Sequence, residues 1–239
     1  MLRHVLSVSI LVATAGALHA SEPVRAVSGS IKFSGAAPEA AAVDLSPDPY
    51  CAEHHTDDTS AFVDPTAVRV GDDGGLADAF VQLTTGVPDE KYDAPEEPVV
   101  LDQVGCTYVP HVFGVMKKQD IEIRNSDATL HNVHPTPERN KEFNLAMPNK
   151  GDVRTKSFRK AEEAVQFKCD VHPWMTAYCF VMEHPYFATT DAEGNFSLPT
   201  EGLEDGDYGI KVWHSVLGTV EGKITIKDGA ATLEMSFDA

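Results

Sequence analysis

Apolar and polar residues alternate along most of this chain, and no long segment carries the spacing of an amphipathic helix. Val27-Ser28-Gly29-Ser30-Ile31-Lys32-Phe33 alternates and stops at Gly35, which predicts a first strand. Further strands are predicted at 67–70, 77–83, 99–101, 108–116, 120–124, 142–147, 153–158, 164–168, 177–182, 205–213, 223–226 and 231–237. Thr189 to Leu198, with Gly194 at its polar tip, predicts a hairpin. Residues 36–73, rich in Ala, Pro and Asp, predict a long irregular excursion, and the proline-interrupted acidic stretch 88–98 predicts a linker. The expected class is therefore all-β.

The first residues break this pattern. Arg3 precedes an apolar run from Val5 to Leu18, with Ala20 before Ser21. The run is short for a membrane span and predicts a secretory leader cut near Ala20. The expected destination is periplasmic or secreted, with no membrane insertion once the leader is gone. The formal net charge is -18, and loss of Arg3 with the leader makes the remainder more negative. Such a chain repels nucleic acid and favours a basic protein partner.

The densest chemistry lies in Cys169-Asp170-Val171-His172-Pro173-Trp174-Met175. A thiolate, an imidazole and a thioether share one short loop. His131 or His134, in Leu130-His131-Asn132-Val133-His134, supplies a second imidazole. One Cys, two His and one Met form the donor set of a mononuclear type 1 copper site. Thiolate and thioether suit Cu(I), and imidazole suits both oxidation states. Tetrahedral zinc also uses Cys-x-x-His, so the pair alone does not choose the metal.

Residues 98–184 resemble the cupredoxins, most closely the plastocyanin and amicyanin type. The resemblance rests on Asn125-Ser126-Asp127 before His131-Asn132-Val133, and on Cys169-x-x-His172-x-x-Met175 with Pro173 after the histidine. It implies a Greek-key β-sandwich binding one copper ion through His131, Cys169, His172 and Met175. It favours His131 over His134. It also implies an Asn132 hydrogen bond to the ligand loop.

The flanks resemble a carboxypeptidase regulatory-like, or transthyretin-like, β-sandwich. The residues are Gly29-x-Ile31-x-Phe33, 79–83, Thr190-Asp191-x-x-Gly194-x-Phe196-x-Leu198 and Gly206-x-Tyr208-x-Ile210-x-Val212. The expected layout is a leader (1–20), a first part of this sandwich (21–97), the cupredoxin domain (98–184) and the rest of the sandwich (185–239). The combination resembles exported bacterial methylamine-utilisation or plastocyanin-like proteins. It implies an electron carrier serving a redox partner such as a cytochrome c or a dehydrogenase. A copper-handling protein, or a structural module with incidental metal, is the alternative.

Four cysteines are present: Cys51, Cys106, Cys169 and Cys179. In an oxidising compartment thiols pair, which favours Cys51–Cys106 and leaves Cys179 a buried free thiol. A second metal position using Cys106 or His111 with His134 is the other reading of that cluster. His54-His55 is assigned no role. The chain lacks the nucleophile-elbow, phosphate-loop and dinucleotide motifs, so no enzymatic activity is expected.

Overall fold

A computed structural model describes residues 26–39, 43–54 and 67–238. The leader, and His55 of the His54-His55 pair, lie outside the described residues. The chain begins with β1 (Ala26–Ser34), a short helix α1 (Pro49–His54) and β2 (Phe80–Thr85). There follow β3 (Val99–Val104), β4 (Thr107–Val109), β5 (Val112–Met116), β6 (Ile121–Asn125) and β7 (His131–Pro135). Next come β8 (Leu145–Met147), β9 (Val153–Lys156), β10 (Glu162–Lys168) and β11 (Thr176–Met182). The chain closes with β12 (Phe187–Thr189), β13 (Asn195–Pro199), β14 (Gly206–His214), β15 (Gly218–Ile226) and β16 (Ala231–Asp238). The protein is all-β with several sheets, as the alternation predicts.

The strands surround two cores. Sheets ordered β13-β1-β16 and β12-β2-β14-β15 share one. It contains Val27, Ile31 and Phe33 from β1, Val81 and Leu83 from β2, Tyr208, Ile210 and Val212 from β14, and Phe237 from β16. The motif-bearing strands β1 and β14 thus lie in different sheets around a common interior. Sheets ordered β5-β11-β10-β7-β8 and β4-β3-β6-β9 share the other. Its members include Leu101, Ile121, Ile123, Val133, Phe167, Cys169 and Met175.

A third cluster joins the two bodies. β11 is almost continuously buried, which fits burial on both faces. Ala177, Cys179 and Val181 enter the second core, while Tyr178, Phe180 and Met182 face the other way. There Phe180 stacks on Phe80 at a centroid distance of 3.9 Å, and Trp213 packs against both Tyr178 and Phe180. Gly114 of β5 lies under this seam. A Cβ there would come 2.4 Å from Phe187 and 2.8 Å from Phe80, so only glycine lets the rings approach the strand.

Three expected elements differ. The strand over 108–116 is two strands, β4 and β5, in different sheets. Pro110 has no N–H to continue a ladder, and the chain crosses between sheets there. The expected hairpin at 189–198 is not one, because β12 pairs with β2 and β13 with β1. The turn Asp191–Gly194 carries the chain from one sheet to the other. Gly194 sits at φ 78°, with Ile31 O and Leu76 N at 2.5 and 2.6 Å from where a Cβ would stand. The strand expected at 67–70 is reduced to an isolated bridge between Val70 and Leu76.

Candidate metal centre

β7 and the loop between β10 and β11 meet at one end of the second sandwich. β10 pairs with both β7 and β11, which anchors the loop 169–175 on either side. Met175 N donates to His172 O at 2.9 Å, and Cys169 N to Met175 O at 3.3 Å. The loop is thereby closed on itself between its donors. Asn132 ties it to β7: its Oδ1 accepts from Asp170 N at 2.6 Å and Val171 N at 3.3 Å.

His131, Cys169 and His172 each present a donor atom within 4.8 Å of the others, and all three are buried. The two Nδ1 atoms are 2.8 Å apart, and Cys169 Sγ lies 3.9 Å from His172 Nδ1. Met175 is wholly buried in the same apolar cluster as Cys169. Cys169 Sγ accepts from His172 N at 3.3 Å and Asn132 N at 3.5 Å. Burial pushes the Cys169 thiol up, but the contact with His172 and the backbone N–H groups outweigh it and lower it overall.

The outer nitrogens of both rings are engaged by carboxylates. His131 Nε2 lies 2.9 Å from Asp127 Oδ2, and His172 Nε2 lies 2.8 Å from Asp48 Oδ2. An ionised carboxylate only accepts, so each Nε2 carries a proton, and Nδ1 is the nitrogen each neutral ring can offer to a metal. Two inward Nδ1 atoms at this separation, beside a buried thiol, form a pocket whose donors suit a cation. Burial raises Asp127, but His131 and the amides of Cys106 and Gly105 outweigh it and hold it below the usual carboxylate value. Burial also acts upward on Asp48, where His172, Thr129 and the amides of Cys51 and Tyr50 prevail.

The remaining site candidates are placed elsewhere. His134 lies between Asp170, 2.8 Å from its Nδ1, and Glu142 at its Nε2. Its pKa is raised, first by the Glu142 contact. His111 Nδ1 faces Thr176 O at 3.0 Å. Cys106 forms a disulfide with Cys51, so its sulfur is not a thiolate donor. Among the described residues, the groups able to hold a metal contain neither His134 nor His111. Cys179 is a buried free thiol, and burial raises its pKa.

Asp48 and Asp127 belong to the site but carry no sequence motif that marks them as site residues. Asp48 did carry a local signal. Followed by Pro49, it has the N-cap and first-turn pattern of a helix start, and its Oδ1 accepts from Tyr50 N and Cys51 N at 2.8 and 3.2 Å. Nothing local in the sequence joins it to His172, which is 124 residues away.

No family model matches this chain, and no curated protein does. Solved structures similar to part of it include a copper-containing nitrite reductase from Thermus scotoductus, 21% identical, with a TM-score of 0.32. That match covers 41% of this chain and 25% of the reductase, so this chain spans about a quarter of that protein's length. A purple cupredoxin from Nitrosopumilus maritimus is 19% identical, over 35% of this chain and 99% of its own, with a TM-score of 0.31. An oxidised mutant of amicyanin is 18% identical, over 43% of this chain and 98% of its own, with a TM-score of 0.33.

Proposed function

We propose that His131, Cys169, His172 and Met175 hold one type 1 copper ion and that the protein carries single electrons. The observation that carries this reading is the convergence of one thiol and two inward-facing imidazole Nδ1 atoms in a buried, anchored pocket. The donor set fits copper better than a hard cation, because thiolate and imidazole are softer than oxygen ligands. Copper bound there would supply a one-electron couple. The chain's own contribution is rigidity. Asn132 holds the loop, the two carboxylates fix the rings, and the flanking strands set the spacing of the donors. A scaffold that holds both oxidation states alike keeps reorganisation small.

The protein is read as an exported carrier, not an enzyme, with a cytochrome c or a dehydrogenase as redox partner. The leader pattern and the Cys51–Cys106 disulfide support an oxidising compartment. The acidic charge supports a basic docking face on the partner. The first sandwich is read as carboxypeptidase regulatory-like on its motif order.

The test is the optical and spin-resonance spectrum of the Cu(II)-loaded protein, with a redox titration. An intense visible absorption and a reversible midpoint are expected. A colourless oxidised copper form refutes a type 1 site. Colour without a reversible midpoint favours a copper-handling protein.

A further inference from the structure

The described part of the N-terminal excursion, residues 43–54, sits directly on the metal centre. Leu45 and Cys51 pack with Cys106, and Val43, Tyr50, Ala52 and Trp174 border that cluster. The Cys51–Cys106 disulfide pins the segment across 55 residues of sequence. Trp174 Nε1 donates to Cys106 O at 3.1 Å, and the indole lies 5.0 Å from the His172 ring. The segment reaches both histidines. Asp48 Oδ2 accepts from His172 Nε2 and from Thr129 Oγ1 at 2.9 Å, and Tyr50 Oη donates to Asp127 Oδ1 at 3.3 Å. His172 is 1% exposed and His131 fully buried.

We propose that residues 43–54 form a fixed cap belonging to the metal centre, in which Asp48 is the positioning residue for His172 and biases the centre toward its oxidised state. The inference rests on the copper reading above and deepens it. The Nε2 of His172 meets only atoms of the cap, Asp48 Oδ2 at 2.8 Å and Cys51 Sγ at 3.9 Å, while its backbone and Nδ1 face the loop and His131. Without Asp48 its outer nitrogen would face the space that the cap fills. The cap therefore sets the ring's tautomer and orientation, and closes its edge to solvent and to a docking partner. It also brings a negative charge into hydrogen-bond contact with a ligand ring, alongside the charge of Asp127 at the other. Two such charges in a buried site stabilise Cu(II) relative to Cu(I).

The test uses the full chain and two readouts. The first is the midpoint potential of the copper form of wild type, Asp48→Asn and Asp48→Glu. Asn removes the charge but keeps a single acceptor oxygen, which can serve either the helix amides or His172 Nε2, so it is read beside Glu, which keeps two acceptor oxygens. Asp48→Asn is expected to shift the Cu(I)/Cu(II) ratio about tenfold toward Cu(I), a rise of ~59 mV for one electron. Asp48→Glu, which keeps the charge, is expected to restore most of it.

The second readout is reaction of histidines with diethyl pyrocarbonate in the metal-free protein, located by mass spectrometry. His172 is expected to resist while the exposed His54 reacts, and to become reactive in the Cys51→Ala/Cys106→Ala variant. An unchanged midpoint in Asp48→Asn overturns the electrostatic role. His172 reacting as fast as His54 in wild type overturns the cap. If the copper form is colourless, the carrier reading fails and the labelling alone decides the cap. A blue form with exposed His172 leaves the carrier standing and the cap refuted.

Discussion

The two sandwiches use the same strand chemistry but handle buried polarity differently. The sandwich around β1 and β14 has an apolar interior, and its buried Thr190, Thr200 and His214 serve its own loops. Thr190 Oγ1 donates to Leu76 O at 2.7 Å, and His214 Nδ1 accepts from Val216 N at 3.2 Å. The sandwich around β6 and β11 gathers most of its buried polar groups at one end, with Gln119 at the other. Gln103, Asn125, Asp127, His131, Asn132 and His172 are all buried there. Asn125 Nδ2 donates to Thr129 O and Met147 O, and Asn125 Oδ1 accepts from Asp127 N. Polar groups that merely close loops can be scattered. A connected network at one end of a barrel, costly to desolvate, marks the place where something is held.

The largest stability effect is expected at the seam between the bodies. Phe80 is fully buried and stacked on Phe180. Phe80→Ala should cost about 3–5 kcal/mol. If the bodies depend on one another, urea unfolding followed separately in each will shift together. If they are independent, only the first sandwich will lose stability.

Acid should distinguish the two by a histidine in each. Burial pushes His214 down to about 4 from an ordinary 6.5. Its neutral form is the one that accepts from Val216 N and Leu217 N. A depressed histidine binds its proton more readily when unfolded, so stability is full above 6.5 and falls as the pH drops toward 4. The loss is about 3 kcal/mol. His134 is raised by Glu142, so its contribution is full below 6.5 and fades as the pH rises through its folded value. His214→Asn retains an acceptor and removes the titration. It should flatten the acid slope between pH 6.5 and 4 in urea denaturation, and a slope equal to wild type would contradict the assignment.

A smaller effect is expected from the network that holds the loop 169–175. Asn132→Ala strips the acceptor of two loop amides and the donor to Asn144 Oδ1. The expected cost is about 1–3 kcal/mol, together with a ~10–100-fold loss of metal affinity. A stability loss with unchanged affinity, measured by competition with a chelator, would make Asn132 a loop brace only.

The sequence displayed the donors better than their surroundings. Cys169, His172 and Met175 were legible because one loop carries all three. Asn132 was legible because it follows His131. The period of two in β1, β13 and β14 located strands but not their partners. The turn at Gly194 reads as a hairpin locally, and only tertiary packing against Ile31 and Leu76 sends β13 to the other sheet. Asp48 was illegible for the same reason: an N-cap looks the same whether its second oxygen meets water or a buried histidine. Two adjacent acidic residues such as Glu162 and Glu163 carry no local sign of a partner. Yet the Glu162 carboxylate gathers the amides of Glu138, Arg139 and Asn140, while Glu163 reaches across to the other body.

That last contact gives the smallest predicted effect and a check on what joins the sandwiches. Glu163 accepts from Gln82 Nε2 at 3.0 Å and pairs with Lys211, both on strands of the first sandwich. Glu163 is more than half exposed, and Lys211 far less so. An ion pair open to water on one side gains little, because solvent screens it and two long side chains lose freedom. Lys211→Met keeps the buried stem against the seam and removes only the charge. It should change stability by less than about 1 kcal/mol, and the difference should vanish in high salt. A loss comparable to that of Phe80→Ala would mean that the bodies are held by charge. The stacked rings of Phe80 and Phe180, with Trp213 edge-on to Phe180, predict the opposite, since they bury apolar surface where salt has no purchase.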